Sequence, residues 1–119
     1  MASKKISMYT KKIYELEELQ EKINEGMNSY FFVEAEFKDA TLRYLGETKT
    51  MLLIYEKWFM RTRSHASLVI MLSEFNGSQC ADIISTGGKM DFFSVGTEYQ
   101  LSKVGADVLR ELGFEEMDE

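Results

Sequence analysis

The chain has 119 residues, enough for one hydrophobic core and too few for a second independent one. Hydrophobic residues make up 45% and charged residues 29%, the proportions of a folded globular chain rather than a disordered one. Fourteen Lys and Arg against twenty Asp and Glu leave a net charge of −6, which argues against nucleic-acid binding, where affinity comes from cations neutralising phosphates.

Other classes fall away on equally simple grounds. The longest apolar run, residues 51–55, is far short of the roughly 20 residues a membrane span requires, so no membrane association is expected. Near the amino terminus Lys4 and Lys5 precede Ile6-Ser7-Met8-Tyr9-Thr10 and two further lysines, which is not a secretory apolar segment. Ala2 does not fit the myristoylation pattern, which needs Gly there. Cytoplasmic residence is the resulting expectation, and it suits the single, unpaired Cys80. One His cannot build a His-rich metal site, and neither a metal nor a cofactor is expected.

In chain order, residues 4–26 read as a helix. Ile6, Tyr9, Ile13, Leu16, Ile23 and Met27 fall on three- and four-residue spacings, interrupted at Gln20, with charged residues off the stripe. Gly26 is placed to stop it. From Ser29 onward the period becomes two. Strands are predicted over 29–37, 41–45, 50–60, 65–75, 79–86 and 89–95, the first of them open to a helical alternative from Glu34. Gly46-Glu47-Thr48-Lys49, Asn76-Gly77 and Gly87-Gly88 supply the turns, and Asn-Gly is the strongest short hairpin signal of the three. A second helix starts at Thr97-Glu98-Tyr99-Gln100, which has capping-box spacing. It buries Leu101, Val104, Val108 and Leu112, and ends at Gly113 with Phe114 folding back. The pattern predicts one two-layer α+β domain over 1–119, with an antiparallel meander of four to five strands between an N-terminal and a C-terminal helix. The ends, 1–5 and the acidic 115–119, are expected to fray.

Strand 50–60 is the most informative segment. One face carries Leu52, Ile54, Glu56, Trp58 and Met60; the other carries Met51, Leu53, Tyr55, Lys57 and Phe59. A sheet with helices on one side and water on the other should alternate apolar with polar, and this strand does not. Its second face therefore requires cover, from a second copy of the chain, from an intrachain element or from a small apolar ligand. Trp58, Phe59 and Met60 are the interface candidates.

Candidate chemistry is sparse. Glu56 and Lys57 point to opposite faces, and Arg61, Arg63 and His65 share a side if the chain stays extended, which would give a cationic site for an anionic ligand. The simpler reading is a solvated loop with one structural ion pair. Gly87, Gly88 and Lys89 invite a phosphate-loop reading, but a hairpin turn explains them without the helix such a loop needs. Asp82 and Asp91 could pair across that hairpin, and Cys80 reads as a buried, inert thiol. No nucleophile–base arrangement stands out, so no catalytic residue is assigned.

Tyr55-Glu56-Lys57-Trp58-Phe59-Met60-Arg61, followed by Ser67-Leu68, resembles the central signature of a small bacterial family catalogued as a domain of unknown function. Thr86-Gly87-Gly88, Phe92-Phe93 and Gly96-Thr97-Glu98 are similar to that family's Gly-rich turn, aromatic strand and step into the last helix. The resemblance spans residues 51–98 and departs at Lys89 and at Ser94-Val95. It implies an α+β meander and a bacterial cytoplasmic protein, and it carries no activity.

The expected function is a non-enzymatic binding or interaction module, a homodimer formed through an apolar sheet face. The alternative is a small anion-binding protein or enzyme built on Glu56, Arg61, Arg63 and His65.

Overall fold

A computed structural model describes residues 3–29, 35–59, 64–75, 77–87 and 97–117. The chain opens with a strand, β1 (Ser3–Thr10), and only then enters helix α1 (Leu16–Ser29). Four strands follow, β2 (Glu36–Leu45), β3 (Thr48–Phe59), β4 (Ser64–Phe75) and β5 (Ser78–Gly87). Helix α2 (Thr97–Glu111) and a two-residue strand, β6 (Glu115–Glu116), complete it. The sheet is antiparallel in the order β2-β3-β4-β5-β1-β6, six strands where the sequence predicts four to five.

The predicted helix over 4–26 is therefore corrected. Ile6 and Met8 alternate with Ser7 and Tyr9 along β1, and a strand of that length fits inside a stripe of three- and four-residue spacings. Thr10 ends the strand, its hydroxyl accepting a hydrogen bond from the Lys12 amide at 3.1 Å. Ile13, which the helical reading placed on the apolar stripe, is 50% exposed. The helix begins at Leu16 and buries Leu16, Leu19, Ile23 and Met27, so Leu19 rather than Gln20 completes the stripe. Gly26 does not stop it. It lies within α1, where a Cβ would sit 2.6 Å from a Val108 methyl of α2. The missing side chain is what allows the two helices to approach.

The meander itself is as expected from β2 to β5, with one strand, β2, where two segments were predicted. Residues 30–34 lie outside the described part of the chain. Leu45 pairs with Thr48 across a two-residue turn, Phe75 pairs with Ser78, and Gly77 takes φ +75°. Both edges of β5 are occupied, by β4 as far as Gly87 and by β1 as far as Thr86. The strand beside β5 on the side away from β4 is β1; the predicted strand 89–95 and Gly88 lie outside the described residues.

Helix α2 ends as its sequence predicts. Gly113 has φ +99°, its amide donates to the Arg110 carbonyl at 3.1 Å, and the Phe114 amide donates to the Leu109 carbonyl at 3.0 Å. These are the paired bonds of a Schellman cap, with Phe114 and Leu109 both buried beneath it. The acidic tail then returns to the sheet. Glu115 and Glu116 pair with Tyr9 and Met8, and the Met117 amide donates to the Ser7 carbonyl at 2.9 Å.

Both helices pack on one face of the sheet. Met51, Leu53 and Tyr55 of β3, Leu68, Ile70 and Leu72 of β4, and Ile83 of β5 are buried there beneath α1 and α2. The Tyr55 hydroxyl donates to Asn24 of α1, and Gly105 of α2 sits over Ile83 and Leu68. Buried Gln79 ties the entrance of α1 to the sheet, accepting from the Tyr14 amide at 3.1 Å and donating to the Tyr14 carbonyl at 2.7 Å.

Candidate functional site

Strand register decides what the other face presents. Side chains alternate along each strand, so residues opposite one another across the ladder form rows on a common face. One row on the face away from the helices runs Asp39, Ile54, Val69, Ile84, Lys5 from β2 to β1. The adjacent row runs Thr41, Leu52, Met71, Asp82, Ser7. A third runs Arg43, Thr50, Ser73, Cys80, Tyr9 and ends at Glu115 of β6.

Leu52, Ile54, Val69, Met71 and Ile84 form one apolar block on three central strands, each half-buried by its neighbours. Among the described residues no helix or strand covers it. The block is polar at its margins. Asp82 accepts a 2.7 Å hydrogen bond from the Ser7 hydroxyl, and the Tyr9 hydroxyl donates to Glu115 at 3.1 Å. Asp39, Arg43 and Lys5 are exposed at the two ends of their rows. Cys80 is free and half-buried on this face rather than fully buried.

The residues singled out from sequence are distributed unevenly. Glu56 and Lys57 do point to opposite faces: Lys57 shares the helix side with Tyr55, and Glu56 sits at the margin of the apolar block. Glu56 lies opposite Glu36 and Ser67. Trp58 pairs with His65 and Phe59 with Ser64, and for these four the description extends only to backbone register. Gly87 is the last residue of β5. Met60, Arg61, Arg63, Gly88, Lys89 and Asp91 lie outside the described residues.

Elsewhere, two clefts are lined by described residues. One of about 340 Å³ is lined by Tyr9, Thr10, Lys11, Lys12, Gly113 and Glu115. Another of about 230 Å³ lies between β1 and α2 and contains Arg110, whose guanidinium is taken up by Asp107 at 2.8 Å and Glu116 at 3.5 Å. Lys5 and Lys103 line the same cleft, so three cations stand there against two carboxylates. The described residues contain no cluster of His, Cys, Asp or Glu able to hold a metal ion, and no helix long and apolar enough to cross a membrane. The Tyr55 hydroxyl is pushed above its ordinary pKa by burial, and it lies under α1 rather than in a cleft.

A family model matches residues 1–113, nearly the whole chain. The chain belongs to DUF6054, a family of unknown function. The match reaches well beyond the 51–98 segment that carries the sequence resemblance. None of the curated proteins matches the DUF6054 chain. Among solved structures it is similar to the vertebrate conserved region of human METTL16, at 7% identity and TM-score 0.47, over 86% of this chain and 79% of that one. It is also similar to cyanobacterial PsbP (CyanoP) from Synechocystis sp. PCC 6803, at 14% identity and TM-score 0.44, over 97% of this chain and 66% of that one. A third is the 18 kDa protein CC1736 from Caulobacter crescentus, at 8% identity and TM-score 0.39, over 92% of each chain.

Proposed function

We propose that this DUF6054 protein is a non-enzymatic interaction module of the bacterial cytoplasm that self-associates through its open sheet face. The observation that carries the reading is the apolar block of Leu52, Ile54, Val69, Met71 and Ile84 opposite both helices. An apolar block on a sheet face that no described helix or strand covers is the kind of patch that marks a protein interface. The size is also suitable. Five paired strands at about 4.8 Å spacing and ten residues at about 3.3 Å each give a face of roughly 800 Å², the share one partner contributes to a standard interface.

Sedimentation velocity on the full chain, from micromolar to millimolar, tests this directly. A concentration-dependent dimer is expected, and Ile84→Lys or Val69→Lys should abolish it while leaving the circular dichroism unchanged. A wild type that remains monomeric throughout would refute self-association.

A further inference from the structure

The rows of the open face carry a second level of information. Resting on the self-association reading, we infer that two copies meet about a two-fold axis running along β4, selected by paired charges at the row ends. In that arrangement β4 lies over β4, β3 over the partner's β5 and β2 over the partner's β1. Each row then lies over the same row, reversed.

Row reversal has definite chemical consequences. Val69 meets the partner's Val69, and Ile54 meets the partner's Ile84, so the apolar residues of the first row face one another. At its ends exposed Asp39 comes over the partner's Lys5, and Lys5 over the partner's Asp39. The third row repeats the match, since Arg43 comes over the partner's Tyr9, whose hydroxyl is bonded to Glu115. Two rows thus place opposite charges together from both sides of the axis, while the middle row sets Met71 on the partner's Met71 and Leu52 beside the partner's Asp82, whose carboxylate is held by Ser7. The competing two-fold, running across the strands through the middle row, would set Asp39 over the partner's Arg43 but stack Asp82 on the partner's Asp82 and Ile54, Val69 and Ile84 on Thr50, Ser73 and Cys80. Rim charges of this kind fix orientation and exclude mismatched partners more than they add affinity. The surface is therefore specific for a second copy of this chain, with Lys5 and Asp39 as its specificity-determining residues.

The test is a charge-swap experiment read by sedimentation equilibrium. Lys5→Asp and Asp39→Lys each create two like-charge contacts per dimer, and each variant alone should dimerise about 5- to 30-fold more weakly than wild type. The two single variants mixed in equal amounts should associate with each other, because Asp at 5 then faces Lys at 39 and the native Asp39 faces the native Lys5. The double variant should recover near wild-type affinity. Both positions are exposed at strand edges, and circular dichroism verifies that the fold is kept. If the charge variants dimerise like wild type while Ile84→Lys does not, the axis is wrong and the self-association reading stands. If restoration comes instead from exchanging Arg43 and Asp39, the crosswise two-fold replaces this one. A monomeric wild type overturns both.

Discussion

Replacing Gly26 with Ala examines the contact that holds α1 and α2 together on one side of the sheet. An added Cβ would lie 2.6 Å from Val108 Cγ1, 3.1 Å from Cγ2 and 3.3 Å from Cβ. Val108 is 2% exposed and β-branched, so it has essentially one helical rotamer and no room to swing aside. Overpacking of this sort costs about 1–3 kcal/mol, against a gain of about 1 kcal/mol for Ala over Gly within a helix. The net expectation for Gly26→Ala is a loss of about 1 kcal/mol, or ~4 °C in Tm for a domain of this size. Val108→Ala alone leaves a small cavity and should cost about 1–3 kcal/mol. In the double variant the new methyl occupies the vacated space, so the two losses should fall short of additivity by about 1–2 kcal/mol. Urea denaturation followed by circular dichroism measures all four corners of the cycle. A Gly26→Ala variant more stable than wild type, with additive behaviour in the double, would refute the close approach.

Two further predictions concern buried polar groups. Gln79→Leu strips the Tyr14 amide and carbonyl of their buried partner, and at about 1–3 kcal/mol per unsatisfied group it should lower unfolding free energy by ~3 kcal/mol; a loss under about 1 kcal/mol in urea melts would show that water replaces the side chain. Tyr55→Phe should be less stable than wild type at neutral pH by about 0.5–1.5 kcal/mol, through loss of the bond to Asn24. That gap should close as pH rises. Burial raises the folded-state pKa above the ordinary 10.0, so above that pH the unfolded chain ionises first and wild type loses up to about 1.4 kcal/mol per pH unit relative to the variant. A gap that stays constant to pH ~11 would mean the hydroxyl is not shielded.

Much of the fold was legible because several local signals agreed. The meander from β2 to β5 follows from period-two segments, two of whose three joins carry a turn glycine, Gly46 and Gly77, and the end of α2 from Gly113 followed by Phe114. The start of the chain was not legible, for a physical reason. Ile6, Tyr9 and Ile13 satisfy a helical stripe, while Ile6, Met8 and Thr10 satisfy a strand. Periodicity over so few residues does not choose between them. What decides is the free edge of β5, a long-range partner some 75 residues away that local spacing does not contain. Gly26 was misread on the same account. A glycine near a helix end looks like a stop until the opposing Val108 is known.

The candidate surface was half legible. Two-sided apolarity in residues 51–57 pointed to a second face in need of cover, and Leu52 and Ile54 are on it. The sequence offers Trp58, Phe59 and Met60 as interface candidates; from Leu52 and Ile54 the block continues sideways into Val69, Met71 and Ile84. A signal was available there too, since Ser67-Leu68-Val69-Ile70-Met71-Leu72-Ser73 is apolar on both faces in its own right. The row ends are a different matter. Lys5 and Asp39 are unremarkable surface charges in the linear chain, and Lys5 was assigned to a helix. They become ends of one row only when β1 enters beside β5 and the register shift between Phe37 and Asp39 sets Asp39 opposite Ile54. Without that shift the facing residue would be Lys38, and both ends of the row would be cationic. The irregularity in an edge strand is thus what makes the face self-complementary, and moving it by one residue should be as damaging to pairing as reversing the charge itself.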